Sequence, residues 1–386
     1  MNTETAVLNH RQALNAVRSE LKTRFLERDE IIDALIIALL SKQHILLLGP
    51  PGTAKSALVE EVCKSISGAS LFQWLLTKFS TPEEIFGPIS LAALQQDKFS
   101  RITTSKLPQA HVAFCDEIFK ANSAILNAML TLINERLFYN NGQAETCPLV
   151  TMVGASNELP EGAELEALFD RFLLRFWIHY LGDAHDVRSL LTNNPPVRTA
   201  TLTLEQLAAC QAGASLVGVP DFVIDAVIGI KNKAEQSGFV ASDRRWKQTI
   251  TALKAAAYLA GQSEVGEDQL EILPDMLWRE PKDRPAVASI VSSVGNPVNI
   301  KASEILDAAK EALQNLGTPA RDASEKAEWL KQASLAESRL STMEAELSTL
   351  VSQHPPARTK RAGEVLSQVQ RMKQDITRRV AALYNL

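Results

Sequence analysis

Residues Gly49, Pro50, Pro51, Gly52, Thr53, Ala54, Lys55 and Ser56 stand between an apolar run, Ile45-Leu46-Leu47-Leu48, and a segment with helical spacing, ALVEEVCKSI. A glycine- and proline-rich turn between a strand and a helix aims consecutive backbone N–H groups into a concavity. The helix dipole adds to their pull, and the pair can hold phosphate oxygens. In such a loop Lys55 reaches the β- and γ-phosphates as a point charge, and the Ser56 hydroxyl ligates Mg²⁺. The position before the lysine, commonly glycine, is Ala54. An ordinary right-handed backbone is expected there, at the start of the helix, so a methyl group should fit. The plain alternative is a Gly/Pro turn that binds nothing.

A second group decides between these. Val112-Ala113-Phe114-Cys115-Asp116-Glu117 reads as an apolar strand tipped by adjacent acids. Asp116 is expected to touch Mg²⁺ through water, and Glu117 to orient and activate an attacking water. Alone, the pair could be a solvated strand end. Asn157, after the strand VTMVGAS, offers a neutral amide that could bond the same water and read the γ-phosphate, though asparagine there is commonly a turn former. Arg171, in the otherwise apolar ALFDRF, suggests a guanidinium delivered to a neighbouring subunit's phosphate. In Ser242-Asp243-Arg244-Arg245-Trp246 the arginines could close a helical unit onto the nucleotide. For each of these arginines a surface ion pair is the competing role.

Positioning such groups requires strands that alternate with helices. Strand-like runs at 45–48, LFQWLL, 112–116 and VTMVGAS are separated by helical patterns, which predicts a doubly wound, mainly parallel sheet. Residues 1 to about 42 read as helix, and YNNG around Asn140–Gly142 signals a hairpin. From 182 the strand signal fades into helices. Three domains are therefore expected: an α/β core over 1–181, an all-α lid over 182–300, and a helical hairpin or three-helix bundle over 301–386. The tail carries a heptad seam, Trp329, Ala333, Ala336, Leu340, Met343, Leu347 and Leu350, then Ala362, Val365, Val369, Met372 and Ile376 after a Pro355-Pro356 break. A shorter partner, Leu306, Ala309, Leu313 and Leu316, precedes Gly317-Thr318-Pro319.

Composition limits the function classes. At 386 residues the chain exceeds a single-core size, and 46% hydrophobic with 22% charged residues marks a globular protein. A net charge of −5 argues against non-specific nucleic-acid binding as the main task, because that needs a positive footprint. Cys63, Cys115, Cys147 and Cys210 are scattered without metal spacing, so buried free thiols in a reducing compartment are expected. The start, MNTETAVLNHRQ, lacks a secretion-signal layout, and the apolar run IIDALIIALL is far too short to span a bilayer. Cytoplasmic location without membrane insertion is the expectation.

In the order GPPGTAKS, VAFCDE, ASNELP, ALFDRFLLR, SDRRW, the motifs resemble those of an AAA+ ATPase. KFSTPEEIFGPISLAAL before the acid-tipped strand and DEIFKANSAILNAMLTLINERLF after it are similar to the MoxR family, in wording closest to its regulatory ATPase variant (RavA) branch. The resemblance covers roughly residues 15 to 280, and alanine before the loop lysine is usual in that family. It implies a doubly wound ATPase core with a helical lid, assembled as a hexameric ring with ATP and Mg²⁺ at subunit interfaces. By this kinship Lys55 and Ser56 match Walker A, Asp116 and Glu117 Walker B, and Asn157 sensor 1. Arg171 matches the arginine finger, with Arg175 a weaker competitor, and Arg244 matches sensor 2, with Arg245 its nearest rival. Residues 77–107 and 137–150 match inserts that engage clients in relatives, offering Phe79, Ile85, Phe86, Phe99, Phe138 and Tyr139 as contacts.

Kinship also implies a protein client and a partner with a von Willebrand factor A (VWA) domain. No β-rich module is legible between 281 and 386, so a partner recognised through one is not carried over. The leading expectation is an ATP-driven protein remodeller. The alternative is a nucleic-acid motor or loader, supported by the basic end, Arg358, Lys360, Arg361, Arg371, Lys373, Arg378 and Arg379. A slow nucleotide-gated scaffold is a third reading, which the intact Glu117 opposes.

Overall fold

The computed structural model describes residues 3–192, 199–295, 297–317, 323–354 and 356–384. Two units emerge from its packing: Met1–Val219 with Ser237–Ser263 and Ile272–Val287, and Pro220–Gln236 with Glu264–Glu271 and Ala288–Leu386.

In the first unit the opening segment is two helices, Thr3–Arg24 and Asp29–Ser41, where the apolar spacing predicts one. The break falls at Phe25–Arg28, with Glu27 at φ 54°. Asp29–Ser41 is buried nearly all round. Its one mid-helix charge, the half-buried Asp33, is met by Arg18 at 2.6 Å and Lys22 at 2.8 Å from the preceding helix, which offsets its partial desolvation.

Five parallel strands form the sheet, in the order Leu71–Leu75, Val112–Asp116, Thr151–Ser156, His44–Leu48, Phe172–Trp177. Every residue of His44–Leu48 and Thr151–Ser156 is buried, the continuous apolar pattern of a sheet covered on both faces. Register sets Leu48 beside Ser156, Cys115 beside Gly154 and His44 beside Phe172. The loop after Leu48, the acids after Cys115 and Asn157 after Ser156 therefore leave the sheet at one edge, where α/β folds bind ligands. The expected hairpin is present as Leu137–Asn140 and Gln143–Thr146, with Asn141 and Gly142 both at positive φ, as a two-residue turn of this type demands.

The second unit contains Asp221–Gln236 and a bundle of three long helices, Pro297–Leu316, Ala323–Gln353 and Pro356–Tyr384. The heptad residues form one core: Leu306, Ala309 and Leu316 from the first helix, Trp329 to Leu347 from the second, and Ala362 to Ile376 from the third. The tail is thus a three-helix bundle. Lys301–Glu346 and Lys373–Glu344 tie its helices at 2.8 and 2.9 Å. Thr318, Pro319 and Pro355, expected to break the helices, lie outside the described residues, as do the side chains of Arg358 and Lys360. The stretch 281–301, which mixes Pro, Gly and Ser, is largely helical, through Arg284–Gly295 and the start of Pro297–Leu316.

Candidate nucleotide site

Gly49 opens the loop at φ 144°, and a Cβ there would lie 2.3 Å from the Ile178 carbonyl oxygen, so only glycine fits. Its N–H donates to the Ser156 carbonyl at 3.0 Å, which fixes the loop to the central strand. Ala54 caps helix Lys55–Lys64 at φ 64° and ψ 23°, a left-handed conformation. The right-handed backbone expected at this position is thus corrected. The turn needs a reversed residue before the lysine, and alanine adopts it at a cost of about 1–2 kcal/mol.

Lys55 Nζ donates to the Gly49 carbonyl at 2.9 Å, the Pro50 carbonyl at 2.8 Å and Thr53 Oγ1 at 3.3 Å, so the ammonium sits inside its own loop. Burial lowers its pKa, while the carboxylates of Asp116 and Glu117 act to raise it. The strand register puts the lysine's loop and both acids at one edge of the sheet. Ser56 follows in the first helical turn. Asp116 ends its strand, and its Oδ1 accepts the Glu117 N–H at 3.0 Å. Glu117 Oε2 is sealed from solvent with no hydrogen-bond partner, although Lys120 Nζ lies 3.2 Å away out of alignment. Two adjacent carboxylates at the same sheet edge as a glycine-cradled, lysine-bearing loop suit a Mg²⁺–phosphate group, with Ser56 and Asp116 as the residues that would hold the ion. Asn157 is exposed, one step beyond Ser156 and level with Gly49.

The structure does not bring Arg171 and Arg244 to this edge. Arg171 precedes Phe172, which pairs with His44 at the other end of the strand that feeds the loop. Five residues of strand separate the two ends by about 16 Å. Burial lowers the Arg171 pKa, the nearby Arg244 charge lowers it further, and Asp170, 3.5 Å away, opposes both. Arg244 is exposed. Arg245, by contrast, is 2% exposed: Nε faces Asp170 at 3.2 Å, Nη1 donates to the carbonyls of Leu173 and Met276, and Nη2 to those of Asp170 and Phe172. Arg175 is likewise buried, stacked 3.7 Å from the Phe169 ring centroid and bonded to the carbonyls of Phe172, Trp278 and Phe169. Both rivals are held by the backbone of their own chain.

Ile85, Phe86 and Phe138, expected at a contact surface, are core residues, with Phe86 and Phe138 stacked at 5.6 Å. Phe79, Phe99 and Tyr139 are exposed. The two inserts are bonded together: Arg101 N–H donates to Asn140 Oδ1 at 2.7 Å and Phe99 N–H to Asn141 Oδ1 at 2.9 Å.

Sequence reasoning missed one feature. A cleft of about 380 Å³ beside the loop is lined by Phe25, Leu26, Tyr180, Leu181, Val187 and Leu190 together with Gly52–Ala54. Tyr180 donates its hydroxyl to the Pro51 carbonyl at 3.2 Å, so the cleft wall is tied to the loop. The helix break at 25–28 and the chain leaving the last strand build it, and neither carries a spacing signal.

The strand order, with the acid-tipped strand one place removed from the loop strand, defines the class: an AAA+ type P-loop ATPase. A model of the MoxR domain in the MoxR-vWA-beta-propeller ternary systems matches residues 12–210, and a model of the AAA lid domain matches 222–291. The chain belongs to the MoxR family. It is 38% identical to the uncharacterised protein MJ0079 of Methanocaldococcus jannaschii over 78% of this chain and 79% of that one. It is 27% identical to the chaperone MoxR1 of Mycobacterium tuberculosis over 67% of this chain and 72% of that one. A crystal structure of a candidate ATPase from Cytophaga hutchinsonii shares the fold, with a TM-score of 0.62 at 18% identity, covering 75% of this chain and 96% of that one. These likenesses speak to the family and not to the branch within it.

Proposed function

We propose that the chain hydrolyses ATP with Mg²⁺ at the subunit interfaces of a homo-oligomeric ring, a hexamer, and uses the cycle to remodel or activate a protein client alongside a VWA-domain partner. One observation carries the reading. Lys55, Asp116, Glu117 and Asn157 share one edge of the sheet, while Arg171 and Arg244 sit together about a strand length away. A nucleotide on the loop is therefore completed by the arginines of a second copy.

The backbone of Gly49–Thr53 and Lys55 would hold the phosphates, and Ser56 directly and Asp116 through water would hold the ion. Bound Mg²⁺ supplies charge neutralisation on the β- and γ-phosphate oxygens. Glu117 takes a proton from water as the water oxygen bonds to the γ-phosphorus and the bridging bond to ADP breaks. Asn157 orients that water, and Arg171 meets the charge that develops on the neighbour's phosphate. The apolar cleft at Phe25, Leu26, Val187 and Leu190 accommodates the adenine. Exposed Phe79, Phe99 and Tyr139 on the inserts suit contact with a protein client. A VWA partner is supported by the systems for which the matching MoxR model is described.

By role rather than by packing, residues 1–181 form the catalytic core, 182–300 the lid and 301–386 an arm for docking or spacing. No helix among the described residues is long and apolar enough to cross a membrane, in keeping with a cytoplasmic protein. The test is steady-state ATP turnover and oligomeric mass. Lys55→Ala loses nucleotide binding and turnover, and Glu117→Gln keeps binding but loses turnover by 10²–10⁴-fold. Arg171→Ala keeps binding and loses turnover, and activity returns in part when it is mixed with Lys55→Ala. A monomer that hydrolyses no ATP, or an active Lys55→Ala variant, ends the proposal.

A further inference from the structure

Glu117 leaves its strand with φ 52° and ψ 45°. A residue with a Cβ is raised by about 1–2 kcal/mol in that region, and such a conformation persists only where the surroundings over-determine it. Two bonds do so here. Asp116 Oδ1 accepts the Glu117 N–H, and the Lys120 N–H donates to the Glu117 carbonyl at 2.8 Å. The second bond closes the 3₁₀ turn Ile118–Lys120, a geometry in which side chains three residues apart eclipse. Glu117 and Lys120 meet for that reason, with Nζ 3.2 Å from Oε2. Because Oε2 is closed to solvent and accepts no hydrogen bond, charge alone holds it.

We propose that Lys120 is a positioning residue for Glu117: its ammonium anchors Oε2 and leaves Oε1 facing the attacking water. The proposal rests on Glu117 being the base in the reaction described above. The terminal torsion of a glutamate is broad and roughly two-fold, so an unanchored carboxylate rotates, and a misplacement of 1 Å can lower a rate by 10²-fold. The lysine is itself 39% exposed, and ion pairs so well hydrated add only about 0–1 kcal/mol to stability. Its contribution is orientation.

Lys120→Met is expected to lower kcat at least tenfold. KM for ATP, the affinity for a non-hydrolysable ATP analogue and the melting temperature should stay near their original values. Lys120→Arg should restore most of the loss, since a guanidinium can make the same contact. Turnover unchanged or raised in Lys120→Met overturns the proposal. So does a loss of nucleotide affinity in step with the rate, or a failure of arginine to rescue. Glu117→Gln, assayed in parallel, separates the two claims. If it retains full turnover, the base assignment and the anchoring both fall; if it is inactive while Lys120→Met is normal, only the anchoring falls.

Discussion

The sheet unit and the helical bundle solve the same packing problem under different constraints. Between Glu27 and Asn141, eight residues other than glycine adopt positive φ; among the described residues from Ala288 onward none does. Two of the eight, Ala54 and Glu117, lie at the phosphate loop and the acid tip, and Asn141 turns the exposed hairpin. In the bundle, apolar residues three and four apart close a common core with the regularity of a heptad. At Ala54 and Glu117 reversed backbone presents a group, whereas at Lys42 and Arg136 it only ends a helix. Where the chain only has to fill space, the helical period suffices.

The largest effect should separate the two regions. Leu340 is fully buried in the bundle. Leu340→Asp removes about 1.5–3 kcal/mol of apolar burial and adds an unpaired buried charge, so bundle stability should fall by about 4 kcal/mol or more. ATP turnover should be unchanged, and a parallel loss of turnover would break the distinction. Thermal unfolding followed beside the ATPase assay measures both.

Acid should strike the sheet unit first. His44 is fully buried: Nδ1 accepts the Met152 N–H at 2.9 Å, and Nε2 faces the Ile133 carbonyl at 3.2 Å. The Arg136 guanidinium lies 2.9 Å from Nε2. Burial first, then that neighbouring charge, lowers its pKa to about 3. The unfolded chain takes up this proton near pH 6.5, while the folded chain resists it until about pH 3. Stability from the neutral ring is therefore complete above pH 6.5 and is lost as pH falls through that window, at up to about 1.4 kcal/mol per unit. Denaturant unfolding at pH 7 and pH 5 should show the drop, and His44→Gln should flatten it.

The smallest effect is the sharpest comparison, because one substitution changes sign. Ala54→Gly should stabilise the protein by about 1 kcal/mol, since glycine adopts the reversed backbone freely. Ala333→Gly, in a helix interior and fully buried, should cost about 1 kcal/mol. Melting temperatures of the two variants decide it.

The loop, the acid pair and the heptads were legible because each is written within a few consecutive residues or one helical period. What escaped depends on distant packing. The need for glycine at Gly49 follows from a turn that must clear Ile178, far along the chain. The inward rotation of Phe86 and Phe138 follows from their stacking on each other, far apart in sequence. Arg245 and Arg175 resemble their neighbours Arg244 and Arg171 in type, and only carbonyls supplied by other segments single them out. The cleft at Phe25 and Tyr180 joins segments about 150 residues apart and leaves no periodic trace.

Asn140 and Asn141 reach from the hairpin to the backbone at Arg101 and Phe99. These amides lash two projections into one lever. Force applied at the ring of Tyr139 is carried at once by the segment Phe99–Arg101, so neither projection bends without dragging the other.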